Sequence, residues 1–117
     1  MSDTKREMPL QLGYIEKAEQ LTLEWTKTNN IKLFQIEFIV PFVLTDISLQ
    51  VLLFFDTNKI LDDYKADGTV ELVKQQYLNN LILLDYPKNY LNEVTFEIDT
   101  DENVQKEFGG SYFARLR

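Results

Sequence analysis

From Leu12 to about Thr28, Leu12, Ile15, Ala18, Leu21, Thr22 and Trp25 recur every three or four residues, separated by Glu16, Lys17, Glu19, Gln20, Glu24 and Lys27. That spacing predicts an amphipathic helix with one buried stripe. Asn29 and Asn30 tolerate the left-handed conformation that ends helices, and beyond them the period falls to two. Over 31–40, Phe34, Ile36, Phe38 and Val40 share one face while Leu33, Gln35 and Glu37 share the other, the pattern of a half-buried strand. Pro41 marks the strand's end, an edge or a bulge, and Thr45-Asp46 supplies turn chemistry. A second strand over 47–55 aligns Ile47, Leu49, Val51, Leu53 and Phe55. Its other face starts polar with Ser48 and Gln50 and finishes apolar with Leu52 and Phe54, as in a strand covered on both sides. The two strands are expected to pair antiparallel.

Asp56-Thr57 offers a cap for a short helix closing at Gly68, and Thr69 offers one for a longer helix over 70–85 with the stripe Val70, Val73, Tyr77, Leu81 and Leu84. The last turn, Leu81-Ile82-Leu83-Leu84, is apolar all round and calls for cover on more than one side, from the domain or from a second chain. Alternation returns at 93–98, with Val94, Phe96 and Ile98 inward, and at 111–117, with Tyr112, Ala114 and Leu116 against Phe113, Arg115 and Arg117. Both segments read as strands. Between them Thr100 caps a short helix over 101–107, whose first-turn Asp101 and Glu102 suit its dipole, and Gly109-Gly110 makes the return turn. The expected fold class is α+β: a two-layer sandwich in the order α-β-β-α-β-β, with a mainly antiparallel four-stranded sheet carrying two helices on one face. Residues 1–11 form a loosely ordered lead-in and 12–117 a single domain.

Composition narrows the chemistry. The 117 residues carry 19 acidic against 12 basic side chains, a formal charge of −7, with neither histidine nor cysteine. The commonest general base, the commonest transition-metal ligand, the thiolate nucleophile and the disulfide are all missing, which argues against an enzyme. Ser2, Ser48 and Ser111 have no histidine to activate them. The amino-terminal residues have charges of both signs and no apolar core, so cytoplasm is the expected location. No apolar run approaches the ~20 residues of a membrane span. Bases are not clustered as phosphate contacts require, so neither nucleic acid nor membrane is an expected partner.

Two acidic groupings and one lone acid are candidate sites. Asp99-Thr100-Asp101-Glu102-Asn103 opens like a calcium loop but has Val104 where that loop needs glycine and Gly110 where it needs a bidentate glutamate. Asp56, Asp62, Asp63 and Asp67 are interleaved with Lys59 and Lys65, as on a solvated helix face. Glu37, between Ile36 and Phe38, is turned by alternation away from both. No cofactor, metal or catalytic residue is assigned.

The acids and the aromatics outside the predicted stripes make a composition suited to docking a basic protein. The candidate partner-binding set is Tyr64, Asp62, Asp63, Asp67, Tyr86, Tyr90, Asp99, Asp101, Glu102, Phe108 and Phe113. In size, charge and lack of catalytic groups the chain resembles, as a class, the stoichiometric inhibitors typified by immunity proteins and antitoxins, which implies a non-catalytic cytoplasmic module that binds a basic protein. Two alternatives stand beside it: a structural or chaperone-like homodimer exposing an apolar groove, built on residues 81–84 and 51–55, and a carboxylate-based metal-dependent enzyme.

Overall fold

A computed structural model describes the backbone of residues 3–41 and 47–117 and the side chains of 12–41 and 47–117. The elements run α1 (Asp3–Thr28), β1 (Leu33–Ile39), β2 (Leu49–Phe55), α2 (Asn58–Asp67), α3 (Thr69–Leu83), α4 (Lys88–Leu91), β3 (Val94–Thr100), α5 (Asp101–Phe108) and α6 (Tyr112–Arg115). The class is α+β, with a three-stranded mixed sheet ordered β1-β2-β3. The first helix reaches back to Asp3, through residues expected to be a lead-in. The expected turn at Thr45-Asp46 lies outside the described residues.

Three expectations about the sheet are corrected. First, β3 runs parallel to β2, with Val94 opposite Leu49 and Thr100 opposite Phe55. After β2 ends, α2, α3 and α4 carry the chain back to the strand's starting end, and a crossover of that length permits parallel pairing. Alternation in residues 93–98 specifies which side chains face inward and says nothing about direction.

Second, 111–117 is not a fourth strand. Ser111 accepts a hydrogen bond from the Ala114 amide at 3.0 Å and starts α6, after Gly109 and Gly110 turn the chain at φ +59 and +85. Tyr112 and Leu116, which share a face of the alternating pattern, are four apart, which also places both on one side of a helical turn. So short a segment satisfies both periods.

Third, helices cover both faces of the sheet. Leu49, Val51, Leu53 and Phe55 of β2 join Ile15 and Ala18 of α1, Leu61 of α2 and Val70, Val73, Tyr77 and Leu81 of α3 in the main core. Leu52 and Phe54 form a second core with Val104 of α5, with Ile39, Tyr112 and Leu116 packed against it. Every residue from Val51 to Phe55 is at most 1% exposed.

Local signals acted largely as their chemistry requires. Asn30 takes φ +56 after α1, Thr57 and Thr100 accept capping bonds from Ile60 and Asn103, and Gly68 at φ +86 separates α2 from α3. Thr69 is the first residue of α3 rather than its cap; Gly68 holds that position, and the Asp67 carboxylate accepts from the Thr69 amide at 2.9 Å. The end of α3 is a Schellman turn: Asp85 is left-handed at φ +64, and the Tyr86 amide reaches back to the Leu81 carbonyl at 3.0 Å.

Because the second face of β2 is as dry as the first, Phe54→Ala is expected to cost ~3–5 kcal/mol in urea unfolding, as much as Phe55→Ala. A loss below ~1 kcal/mol for Phe54→Ala alone would mean that α5 and α6 do not pack on the sheet.

Candidate functional site

The second face of the sheet gathers the unusual side chains. A β-bulge between Leu33 and Gln35 inserts one residue into β1 and changes which way Phe34 points. Alternation puts Phe34 in line with Ile36 and Phe38. Instead Leu33 joins Ile36 in the main core, and Phe34 lies on the opposite face, stacked on Tyr112 with ring centroids 6.4 Å apart. From there Gln35, Glu37 and Ile39 of β1, Gln50, Leu52 and Phe54 of β2, and Thr95, Glu97 and Asp99 of β3 share the face by register. An apolar row thus runs between two polar ones.

Arg115 closes this row. Its Nε donates to Asp99 Oδ2 at 2.6 Å, its Nη2 donates to Glu97 Oε2, and its guanidinium lies 5.8 Å from the Phe54 ring centroid and 6.0 Å from that of Phe108. Burial works against its charge, yet the bonds to Glu97 and Asp99 hold its pKa above the usual guanidinium value. Asp99 also accepts from the Thr100 amide and from Asn103, and Glu97 accepts from Gln50 at 2.9 Å. The Tyr112 hydroxyl donates to Asp101 at 2.6 Å, and burial first, then that bond and the charges of Asp101, Asp99 and Glu37, push its phenol up. Two carboxylates, Glu97 and Asp99, therefore meet the one guanidinium of Arg115, and a third, Asp101, is held by the neighbouring Tyr112 hydroxyl. Around this clasp three rings remain in water: Phe34 at 51% exposure, Phe108 at 36% and Phe113 at 74%, the last with the Arg117 guanidinium 5.5 Å from its centroid.

The sequence-derived candidates divide into three places. Asp99, Asp101 and Phe108 come together here through Arg115 and Tyr112, Phe113 lies on α6 against Arg117, and Glu102 sits at the edge, where its carboxylate accepts from the Asn58 amide at 2.9 Å. Asp62, Asp63 and Asp67 stand exposed along α2, Asp63 paired with Lys59 at 3.5 Å, and Tyr64 packs edge-on against Phe55 while its hydroxyl accepts from the Lys32 amide. Tyr86 and Tyr90 pack together at the end of α3, Tyr86 only 5% exposed and also against Tyr14. Among the described residues no group of three or more carboxylates is placed to hold a metal ion. None of their helices is long and apolar enough to cross a membrane.

Sequence reasoning missed Arg115 as the organiser of the face and Phe34 as part of it, because the bulge and α6 that place them leave no periodic trace. It also missed a polar seam between α1 and α3. There Asn80 donates to Thr22 Oγ1 at 2.9 Å, Thr22 donates to the Ala18 carbonyl at 2.7 Å, and Gln76 donates to Asn80 at 3.1 Å. Close by, Glu19 Oε1 and the Tyr77 hydroxyl are buried without a hydrogen-bond partner. Burial, followed by the charges of Glu37 and Glu16, raises the Glu19 carboxyl to about 8, and burial followed by the charge of Glu19 raises the Tyr77 phenol. The folded chain accordingly holds a proton on Glu19 at neutral pH that the unfolded chain releases above about 4.5.

Two measurements follow from this geometry. The Glu19 contribution to stability is complete below about pH 4.5 and is lost as pH rises through about 8. Glu19→Gln should therefore gain stability relative to wild type across that window in urea titrations; an unchanged difference would place Glu19 in water. Separately, Arg115→Leu should cost about 1–3 kcal/mol by stranding Glu97 and Asp99, and should speed amide exchange in 111–117, whereas unaltered exchange there would mean that α6 is held by its apolar contacts alone.

Comparison of the chain with protein-family models, curated proteins and solved structures finds no match to any of them.

Proposed function

We propose that the chain is a non-catalytic, cytoplasmic protein-binding module that docks a basic protein on the surface around α6. The observation that carries this reading is the set of exposed rings along α6, Phe108 against Arg115, Phe34 against Tyr112 and Phe113 against Arg117, beside the Arg115 pairing with Glu97 and Asp99. Large rings left in water around a partly desolvated arginine have the composition of binding hot spots, where aromatic and arginine side chains dominate the energy. The surplus of acid over base on the same face, within a chain of net charge −7, steers a positively charged partner toward it. Stoichiometric inhibition in the manner of immunity proteins or antitoxins requires no more than this: a rigid aromatic patch for affinity and an acidic rim for rapid capture.

Affinity purification from the native host with wild-type chain and with the Phe34→Ala, Phe113→Ala double variant tests the proposal. A basic protein should be retained by wild type, elute as salt rises because screening removes the steering, and bind the double variant at least ~10-fold more weakly, given ~2 kcal/mol for a single hot-spot ring. A bound protein indifferent to both salt and the two substitutions would remove this face as the docking surface.

A further inference from the structure

We propose that the outward row of α3, Leu72, Gln75, Asn79 and Ile82, is a self-association surface on which a second copy of this chain packs antiparallel. The row lies opposite the helix's buried stripe of Val70, Val73, Tyr77 and Leu81, and all four members are exposed. Leu72 is 54% exposed and Ile82 55%, with Leu83 beside them at 74%. This is the apolar helix end that the sequence marks as needing cover, and within one chain the two outward side chains of that turn receive little.

Charge selects the occupant. The chain carries −7, so two copies repel wherever carboxylates face each other. The α3 row has no ionisable member, and the exposed Glu71 that flanks it is paired with Lys74 of its own helix at 3.2 Å, so two chains meet along the row itself without opposing like charges. A basic partner gains nothing from this row, since it offers no carboxylate to pair.

Spacing supports the same conclusion. The four residues are three, four and three positions apart, the interval of a short coiled-coil seam. They are symmetric about position 77. A two-fold axis at that level sets Leu72 against Ile82 of the second copy and Gln75 against its Asn79, twice over, which is the isologous arrangement of a cyclic dimer. The Gln75 amide already donates to Asn79 Oδ1 at 2.9 Å within the helix. That bond leaves the Gln75 carbonyl and the Asn79 amide group to form reciprocal hydrogen bonds across the axis. Polar residues in the middle of such a seam fix register and orientation at some cost in stability. One helix pair buries less than ~1,200 Å², so the dimer is weak and dissociates on dilution.

Sedimentation equilibrium of the intact chain over a concentration series gives the first test. A monomer–dimer equilibrium is expected, tightening as salt screens the repulsion between copies. This is the opposite salt response to that of basic-partner binding, so the two readings fail separately. Leu72→Glu with Ile82→Glu, at exposed positions where circular dichroism should be unchanged, should weaken association about tenfold or more, roughly 1.4 kcal/mol per tenfold. Orientation is read by oxidation, since the chain has no cysteine of its own. A mixture of Leu72→Cys and Ile82→Cys chains should cross-link to each other, and neither should cross-link to itself. A monomer at every concentration, a dimer unmoved by the two glutamates, or cross-linking of Leu72→Cys alone would each overturn the proposal.

Discussion

Exclusion of water from both sides of β2 is the constraint on which the rest of the chain depends. Five successive side chains, Val51 to Phe55, are buried alternately on two faces. Each large one contributes ~1.5–3 kcal/mol only if its own face is covered. A strand of that kind cannot sit in a two-layer domain. The first face takes α1, α2 and α3; the second takes the chain's last elements, α5 and α6. The position of Arg115 follows from this requirement, because α6 must lie over Phe54 and the carboxylates of β3 flank that ring. The polar clasp is thus a by-product of sealing an apolar strand, and it fixes where the exposed rings stand.

Periodicity made the elements legible and left their arrangement open. Ile15, Ala18 and Thr22 of the α1 stripe and Val70, Val73, Tyr77 and Leu81 of the α3 stripe are buried, Thr57 and Thr100 cap as expected although Thr69 does not, and the inward set Val94, Phe96 and Ile98 packs against the main core. Even the double burial of β2 was visible in its change from Ser48 and Gln50 to Leu52 and Phe54. The direction of β3 was hidden because side-chain alternation is the same in either direction. Residues 111–117 were ambiguous because Tyr112 and Leu116 fit both a strand face and a helical turn. The bulge that re-aims Phe34 needs one extra residue in a ladder, and only pairing with β2 exposes it. Hence the acids and rings of the candidate surface were named in part, while Phe34 and Arg115, which complete it, were not.

The seam between α1 and α3 shows a different kind of concealment. Thr22, Asn80 and Gln76 satisfy one another in an otherwise apolar contact, and such a network favours one packing of the two helices over others that would strand its donors. Glu19 and Tyr77 do not share in that satisfaction. In the sequence Glu19 looks like any glutamate between stripe positions. Its difference arises only when Glu37 of β1 and the covering elements come near, which removes water and adds like charge together. A proton is the least costly response, because a neutral carboxyl avoids most of the desolvation penalty of a charged one. A rise in pH through about 8 therefore acts on the α1–α3 contact by removing that proton.

The outward surfaces at α6 and α3 differ in chemistry. The α6 face concentrates carboxylates, a guanidinium and rings, whereas the α3 row is amide and aliphatic. Electrostatic free energy pulls the two in opposite senses: low salt lengthens the reach of the acidic face and pushes copies of the chain apart, and high salt does the reverse. The surfaces lie on opposite sides of the sheet, since α3 packs on the face of Leu53 and Phe55 and α6 on the face of Leu52 and Phe54. Occupying one therefore leaves the other sterically free. On the proposed readings any antagonism between them comes from charge, since a basic protein docked at α6 would lower the net charge that keeps two copies apart.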